Sequence, residues 1–321
     1  MKTMQTTVRT LTLACLLGTA MLQFPAVAAT AASTPTSATE QQPSCPCFTV
    51  QVVGQGPAVI LIPGLASSGA VWQSTVNALK NDYQLHILTL AGFAGTAPLP
   101  AEQWQSGYLA VQQAAILGYI AEQQLVKPVI IGHSLGGYLA LAMAAANSDT
   151  IAAAINVDGL PALGALFAET ASAANTQRNA KSSTAAAEST PPAASNGGFD
   201  PMMMAKGMTN NEAWQQRIVT DMARSDGMTS GRVMGELMQA DLRPQLPKIQ
   251  VPVLTIGALQ NGAPYATPAQ VQQNYERQFT TAPAALHRFA FAKESKHFVM
   301  ADAPDWLNQQ IKQFLQDLPQ G

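Results

Sequence analysis

Charged residues are scarce in this chain, and clusters of basic residues are lacking. Lys and Arg number 17, Asp and Glu number 19, and together they make up 11% of the 321 residues. With a net charge of −2 and no Lys/Arg cluster, the chain does not have the electrostatic footprint of a nucleic-acid-binding protein. Apolar residues reach 47%, so a chain of this length can bury a sizeable core. The composition predicts a folded protein with no nucleic-acid partner.

Cysteine is almost absent, which limits both cross-linking and metal binding. Cys15 lies within an N-terminal apolar run, and the other two, Cys45 and Cys47, are separated by one residue. An oxidising compartment would permit a disulfide, and a labile or intermolecular bond stays open. The favoured interpretation is a cysteine pair near a flexible terminus without a catalytic role. Two ligands are too few for a metal site, and the sequence predicts neither a metal nor an organic cofactor.

The sequence also lacks an apolar run long enough to span a membrane. The run over residues 11–22 follows Lys2 and Arg9 and precedes Ala26-Val27-Ala28. It falls short of the ~20 residues that a spanning helix needs, and its flanks are typical of a secretory signal peptide. We therefore predict a signal peptide over residues 1–28, a periplasmic or secreted protein, and no membrane span after cleavage. An uncleaved anchor is the alternative.

Beyond residue 28 the composition indicates a tether and then a folded core. Residues 29–47 are rich in Ala, Thr, Ser and Pro, which predicts a disordered tether. Farther on, continuous apolar runs are typical of strands buried on both faces of a parallel sheet. Their alternation with helical patterns predicts a mostly parallel, doubly wound α/β sheet. The predicted strands are 59–62, 85–88, 129–131, 153–157 and 253–256, and the predicted helices are 69–80, 104–124, 135–147, 268–279 and 304–317.

The alternation stops between residues 160 and 247, which predicts a helical cap inserted into a core of residues 48–159 and 248–321. Residues 170–198 are of low complexity, whereas residues 200–242 look helical and carry eight of the 13 methionines. Methionine adapts to varied apolar shapes, so one hypothesis is a mobile cap that lines a lipophilic pocket. The alternative, that these methionines fill the core of the cap itself, is equally compatible with the sequence.

A Gly-x-Ser-x-Gly pattern at Gly132, Ser134 and Gly136 is the strongest motif in the chain. A buried strand is predicted directly before it and an Ala- and Leu-rich helix directly after it, which is the setting of a nucleophile elbow. The glycines leave room for neighbouring chain, and the positive end of the following helix lies close to the serine. Ser134 is therefore the candidate nucleophile.

A serine needs an adjacent base to become nucleophilic, and the sequence offers four histidines. His86 and His287 fall in or near predicted strands. His133 lies in the elbow, where its side chain should point away from the nucleophile. His297 lies in a loop between the last strand and the C-terminal helix, from which it can reach the crevice, and it is the candidate base.

Two backbone N–H groups are candidates for an oxyanion hole, which must face the developing negative charge. Leu135 directly follows Ser134. The glycine-containing loop after the strand at 59–62 provides the second amide, assigned to Leu65. The alternative for that loop is a simple glycine turn.

These features together resemble the α/β-hydrolase fold superfamily, especially its capped esterase- and lipase-like members. The match covers about residues 50–318 and is weakest in the cap. It implies a serine nucleophile activated within a Ser-His-acid triad. The residues that carry it are the loop Pro63-Gly64-Leu65 with Trp72 downstream, the turn Gly92–Thr96, the elbow Gly132–Gly137 and the segment Ser295–Phe298.

The chain departs from this superfamily at the acid. Many members carry it in a Gly-x-x-Asp pattern after the penultimate strand, but that position holds Gln260, followed by Asn261. Asp158 ends the preceding predicted strand, and the order Ser134, Asp158, His297 still fits the family order. We expect Asp158 to be the acid. Asp302 is expected to belong to the start of the next helix.

The resemblance implies hydrolysis of a small, lipophilic carboxylic ester through an acyl-enzyme intermediate. An amidase- or aminopeptidase-like activity would use the same triad. The fold also hosts lyases and cofactor-free peroxidases, and a non-catalytic binding protein is favoured by the missing Gly-x-x-Asp acid.

Overall fold

The computed structural model of the protein describes residues 39–41, 45–166 and 200–319, and its described strands form one eight-stranded sheet. The spatial order is β1-β2-β4-β3-β5-β6-β7-β8, in which β2 pairs antiparallel with both β1 and β4 and all later neighbours are parallel. The predicted doubly wound α/β class is thereby confirmed. The strands are β1 Thr39–Gln41, β2 Phe48–Val53, β3 Ala58–Ile62, β4 Gln84–Leu90, β5 Val129–His133, β6 Ala153–Val157, β7 Val253–Ala258 and β8 His287–Ala292.

Helices follow most strands and cover the two faces of the sheet. The helix predicted at 104–124 begins later than expected, because Gly107 has a φ of 84° and separates α2 from a preceding 3₁₀ turn. The helices are α1 Gln73–Leu79, α2 Tyr108–Glu122, α3 Leu135–Ala146, α4 Pro201–Met208, α5 Glu212–Ala223, α6 Gly227–Gln239, α7 Pro268–Gln278, α8 Val299–Asp302 and α9 Pro304–Gln316, with 3₁₀ turns at Gly69–Trp72, Ala101–Ser106 and Leu246–Lys248.

Alternation of side chains along the buried strands divides the core into two apolar layers. In β3, Ile60 and Ile62 pack into the layer that includes α2 and α3, whereas Val59 and Leu61 pack into the layer that includes α1 and α9. All four side chains are fully buried, and burial of each stabilises the fold by about 1.5–3 kcal/mol. A strand that buries both faces must be continuously apolar, which is why these strands were recognisable in the sequence.

The tether predicted for residues 29–47 is wrong at its C-terminal end. Thr39–Gln41 form β1, which pairs antiparallel with β2. Cys45 and Cys47 are joined by a disulfide, and Cys47 is buried. An edge strand gains backbone hydrogen bonds without contributing apolar side chains, so a polar composition does not reveal it. The predicted signal peptide, residues 29–38 of the tether and the low-complexity segment 170–198 lie outside the described residues.

Residues 200–242, named here the cap segment, fold into α4, α5 and α6, as the helical pattern predicts. Each helix begins at a side chain that accepts a hydrogen bond from a backbone N–H of its first turn, which satisfies one of the free N-terminal amides. These capping residues are Asp200, Asn211 and Asp226.

The cap segment is attached to the loops that follow the carboxyl ends of the strands. After β3, Ser68 donates from its backbone N and its Oγ to Asp221, at 2.9 and 2.6 Å. After β4, the Asp226 N–H donates to the carbonyl of Gly92 at 2.7 Å. After β8, the Phe298 N–H donates to the carbonyl of Met208 at 3.0 Å. The cap segment therefore lies at the edge of the sheet where open α/β folds bind ligands.

Among the helices in the described ranges, none is both long and apolar enough to cross a membrane.

Candidate active site

Ser134 lies on a strained turn between β5 and α3. Its φ of 54° and ψ of −112° are unfavourable for a residue with a side chain, and such conformations typically cost about 1–3 kcal/mol. The turn is held by the Ser134 N–H, which donates to the carbonyl of Val157 at 2.9 Å, and by the Ser134 carbonyl, which accepts from the Tyr138 N–H. The serine is partly exposed, although both neighbouring residues are buried.

The glycines of the elbow are required by close backbone approaches. A Cβ on Gly132 would overlap the carbonyl of Gly136, and a Cβ on Gly136 would overlap the carbonyl of Ile62 at the end of β3. Gly64 packs so closely that a Cβ there would lie 3.2 Å from Cβ of Ser134. These contacts bring the loop after β3, which carries Leu65, against the start of α3, which carries Leu135. Both candidate oxyanion amides therefore belong to segments that meet beside Ser134.

Asp158 follows β6 and is positioned by a buried asparagine that sequence reasoning missed. Asn156 Nδ2 donates to the carbonyl of Gly159 at 2.8 Å, and its Oδ1 accepts from the Gly159 N–H at 3.0 Å. This clamp forms the turn in which Asp158 adopts a φ of 54°, a conformation that Asp tolerates better than most residues. The signal in the sequence is a single asparagine within an otherwise apolar strand, and the structure shows it fully buried.

The structure brings His297 directly onto Asp158. Nδ1 of His297 and Oδ2 of Asp158 are 2.6 Å apart. The carboxylate is fully buried, whereas the imidazole keeps 17% of its side-chain surface exposed. Because a carboxylate accepts from Nδ1–H, Nε2 of His297 is left as the basic nitrogen.

Asp158 has three further hydrogen-bond donors, none of which was predicted from the sequence. Its Oδ1 accepts from the Ala258 N–H at 2.7 Å and from the Tyr275 hydroxyl at 2.6 Å. Its Oδ2 accepts from Asn261 Nδ2 at 2.7 Å. Burial raises the pKa of Tyr275 well above its ordinary value, and the charge of Asp158 raises it further, so the phenol stays a donor.

His133 lies beneath His297 and contacts its backbone. Nε2 of His133 is 3.0 Å from the carbonyl oxygen of His297, so this nitrogen carries the proton and donates it. The two imidazole rings have centroids 4.6 Å apart. Burial lowers the pKa of His133 well below its ordinary value, and the neighbouring His297 lowers it further. His133 therefore stays neutral and supports the loop of His297.

Ser134 and His297 are not joined to each other by a hydrogen bond. His133, the residue before Ser134 in the chain, packs its ring against the ring of His297. Hydrogen bonds between a nucleophile and its base are often looser without substrate and tighten in the complex.

The remaining candidates from the sequence lie elsewhere. His86 bonds Tyr119 at 2.8 Å within the sheet, and His287 bonds Thr255 at 2.8 Å. Asp302 ends α8 instead of starting the next helix, and it accepts hydrogen bonds from the Lys296 N–H and the Asn210 N–H. Among the described residues, no group of three His, Cys, Asp or Glu side chains is arranged to hold a metal ion.

Comparison with known families decides where this arrangement belongs. The profile of the alpha/beta hydrolase family matches residues 59–310, a range that contains Ser134, Asp158 and His297. The chain belongs to the alpha/beta hydrolase family. The resemblance that the elbow and the loop after β3 indicate is thereby confirmed, and so is the prediction of a hydrolase enzyme.

Curated relatives of this α/β-hydrolase include pimeloyl-[acyl-carrier protein] methyl ester esterases. The protein from Vibrio atlanticus (strain LGP32) is 29% identical over 216 residues, which cover 64% of this chain and 76% of the relative. The protein from Vibrio vulnificus (strain YJ016) is 26% identical over 273 residues, which cover 82% of this chain and 96% of the relative. Both relatives are ester hydrolases by name.

Solved structures share the fold of this α/β-hydrolase. A thermophilic esterase from Thermogutta terrifontis superposes with a TM-score of 0.64 at 17% identity, covering 87% of this chain and 98% of that one. The enol-lactonase from Burkholderia xenovorans LB400 superposes with a TM-score of 0.62 at 17% identity, covering 84% of this chain and 96% of that one.

Proposed function

We propose that this α/β-hydrolase cleaves carboxylic esters of small, lipophilic molecules, with Ser134 as nucleophile, His297 as base and Asp158 as acid. The observation that carries the proposal is the 2.6 Å contact between His297 Nδ1 and Asp158 Oδ2. This contact gives the candidate base the carboxylate partner that is missing at Gln260. The idea of a non-catalytic binding protein depended on that missing acid and loses its support.

The first half of the reaction is acylation of Ser134. The hydroxyl attacks the ester carbonyl while Nε2 of His297 takes its proton. Asp158 holds the imidazole in the tautomer that leaves Nε2 basic, and it stabilises the imidazolium that forms. His297 then gives the proton to the departing alcohol oxygen, which leaves the acyl group on Ser134.

The tetrahedral intermediate carries a negative oxygen that needs fixed donors. In the proposed mechanism the N–H groups of Leu65 and Leu135 donate to it. The positive end of α3 lies at the same place and adds a favourable field.

The second half of the reaction is hydrolysis of the acyl-enzyme. Water enters after the alcohol leaves, and His297 takes a proton from it. The hydroxide attacks the acyl carbon over the same two amides. Collapse of the second intermediate releases the carboxylic acid, and the proton returns from His297 to Ser134.

An apolar substrate is supported by apolar side chains on the loops after β3 and β6 and on α5, which is hydrogen-bonded to the loop after β3. Leu65 in the oxyanion loop, Leu160 two residues after Asp158 and Met222 on α5 are partly buried and pack against the apolar core. The curated relatives are named for hydrolysis of a methyl ester. Methyl esters of medium-chain acids are therefore the first natural-type substrates to test.

The deciding experiment compares wild type, Ser134→Ala, Asp158→Asn and Asp302→Asn on p-nitrophenyl esters of increasing acyl length. We expect Ser134→Ala to abolish turnover and Asp158→Asn to lower kcat by several orders of magnitude, because it removes the charge that stabilises the imidazolium. Asp302→Asn is the matched control, since Asp302 is hydrogen-bonded to Lys296 and Asn210 and has no contact with the His297 ring. Near-full activity of Asp158→Asn together with loss in Asp302→Asn would show that the acid assignment is wrong.

Labelling with a fluorophosphonate probe separates an enzyme from an inert binder. Wild type should be labelled at Ser134, as located by peptide mass spectrometry, and Ser134→Ala should not. A parallel panel of amides and aminopeptidase substrates tests the amidase alternative, which would give higher kcat/KM for amides than for matched esters.

Export to the periplasm or medium is part of the proposal. Expression of the full chain with a C-terminal tag, followed by fractionation and N-terminal sequencing, should give a mature protein that begins close to residue 29. A product in the cytoplasm that keeps Met1 would contradict export.

A further inference from the structure

We infer that Tyr275 and Asn261 are positioning residues for the candidate acid Asp158, and that Asn261, one residue after the Gly-x-x-Asp position at Gln260, marks a place from which a carboxylate could act on His297. This inference rests on the proposed function, because it concerns the hydrogen bonds that hold Asp158 against His297.

The carboxylate of Asp158 is saturated with donors. An ionised carboxylate offers about four lone-pair sites, and Asp158 accepts four hydrogen bonds, from Ala258 N, Tyr275 Oη, Asn261 Nδ2 and His297 Nδ1. Two donors reach each oxygen, so neither oxygen can rotate away without losing a short bond. Hydrogen bonds to the ionised form favour it, which offsets the cost of burying the charge.

Tyr275 is held in place by a glycine and an aromatic ring. A Cβ on Gly257 in β7 would lie 3.0 Å from both the Tyr275 ring and the Phe291 ring. The rings of Tyr275 and Phe291 pack edge to face with centroids 6.1 Å apart. Gly257 is the glycine of the Gly-x-x-Asp pattern, and here it makes room for the tyrosine that reaches Asp158 from α7.

Asn261 lies between the two partners of the acid–base pair. Its Nδ2 is 2.7 Å from Asp158 Oδ2 and 3.5 Å from His297 Nδ1. A carboxylate at residue 261 would therefore lie beside the same imidazole nitrogen that Asp158 now contacts. In many family members the loop after β7 carries the acid. Here that loop instead donates the neutral amide of Asn261 to Asp158, which follows the neighbouring strand β6.

The first test measures positioning through Tyr275→Phe and Asn261→Leu. Each substitution removes one donor and leaves Ala258 and His297 in contact with Asp158. We expect kcat to fall about tenfold for each with KM little changed, because a carboxylate that has lost one donor is held less firmly against His297 Nδ1. The acid limb of the pH–kcat/KM profile should move to higher pH in Tyr275→Phe, because a less solvated carboxylate stabilises the imidazolium more strongly.

Tyr265→Phe is the matched control for Tyr275→Phe, since Tyr265 is 96% exposed. It should leave both kcat and the pH profile unchanged. Thermal unfolding of each variant checks that the fold is intact. A purely structural role would lower the melting temperature of Tyr275→Phe without moving the pH profile, and that result would overturn the assignment.

The second test exchanges the acid and the amide. Asp158→Asn removes the acid, and Asn261→Asp in that background returns a carboxylate to the vicinity of His297 Nδ1. We expect kcat of the double variant to be at least tenfold higher than kcat of Asp158→Asn. A double variant no more active than Asp158→Asn, with a normal melting temperature, would show that a carboxylate at residue 261 does not act on His297.

The rate of fluorophosphonate labelling distinguishes failure of the proposed function from failure of the positioning roles of Tyr275 and Asn261. If wild type neither hydrolyses esters nor labels at Ser134, the proposed function fails. If wild type labels but Tyr275→Phe and Asn261→Leu label at the wild-type rate, the proposed function stands and the positioning roles are wrong.

Discussion

The crevice around Ser134 and Asp158 and the cap segment differ in how tightly their residues are enclosed. In the crevice, Gly132 and Gly136 touch neighbouring backbone so closely that no side chain fits, and Asp158 is enclosed on all sides. In the cap segment, Met203 and Met228 are more than 70% exposed. The cap helices attach to the core through a few buried apolar side chains, such as Ile218 and Val233, and at separate polar points, such as the pair of Ser68 and Asp221.

This contrast indicates which substitutions each region tolerates. Steric contacts with backbone cannot relax, so a single methyl group in the crevice has a large cost. Polar attachments at discrete points can be lost one at a time, because α4, α5 and α6 each retain their own N-cap. The crevice should therefore be sensitive to size, and the cap segment to the loss of particular anchors.

The largest expected effect comes from adding one methyl group to a glycine. Gly132→Ala places a Cβ into the Gly136 carbonyl, and we expect loss of folded, active protein. Apart from the chain neighbours and the adjacent backbone of the same helix, an added Cβ on Gly118 in α2 or Gly231 in α6 would meet no atom of the described residues within 4 Å. Gly118→Ala and Gly231→Ala should each stabilise the protein by about 0.5–1 kcal/mol, because alanine is the better helix former. Urea denaturation measures all three, and a stable, active Gly132→Ala variant would contradict the steric argument.

A smaller effect is expected from removing the anchor between α5 and the oxyanion loop. Asp221→Ala leaves the backbone N–H and hydroxyl of Ser68 without their acceptor, at a cost of about 1–3 kcal/mol. Because Ser68 belongs to the loop of Leu65, kcat should fall together with stability.

Asp200→Ala is the control for Asp221→Ala, since it removes only the N-cap of α4. It should lower stability by about 0.5–2 kcal/mol and leave kcat unchanged. Equal losses of kcat in the two variants would show that the anchor has no special link to the oxyanion loop.

Acid should destabilise the protein through its core, which carries all four histidines, whereas the cap segment contains none. Desolvation lowers the pKa of both His86 and His287 to about 4, whereas the unfolded value is about 6.5. Between these values the unfolded chain binds protons that the folded chain does not, so the free energy of unfolding falls as pH decreases from about 6.5 to about 4.

Urea midpoints measured between pH 7 and pH 4 test this acid sensitivity. His86→Gln should show a shallower pH dependence than wild type, because the unfolded variant no longer takes up that proton. If the urea midpoint falls with pH equally steeply in wild type and His86→Gln, the acid sensitivity comes from other groups.

The smallest expected effect concerns the exposed methionines of the cap segment. Met203→Ser and Met228→Ser change side chains that are 71% and 72% exposed, and the ester chain-length profile should not change. Met222→Ser changes a side chain that packs against both apolar layers, and it should lower kcat/KM for long acyl esters more than for short ones. A changed profile in Met203→Ser would place substrate on the outer face of α4.

Much of this arrangement was accessible from the sequence because it depends on local patterns. Strands β3, β5 and β6 were recognisable since a strand buried on both faces must be apolar along its whole length. The elbow was recognisable because its steric crowding requires glycine at fixed spacing around Ser134. His297 was found by elimination, since the other histidines fall in strands or in the elbow itself.

The features that sequence reasoning missed depend on contacts between distant segments. Edge strand β1 has a polar sequence, so no apolar pattern indicates it. It forms by pairing its backbone with the free edge of β2. Asn261 and Tyr275 follow Asp158 by more than 100 residues along the chain and reach it only because β6 and β7 are neighbours in the sheet. Asp221 reaches the loop of Leu65 for the same kind of reason.

The sequence by itself determined the class of fold and indicated Ser134 as candidate nucleophile and His297 as candidate base. The tertiary structure decided how the Asp158 side chain is held, because pairing of β6 with β7 brings the loop after β7 and α7 around one buried carboxylate. Spacing along the chain specifies local geometry, whereas the solvation of a buried charge is specified only by the segments that surround it.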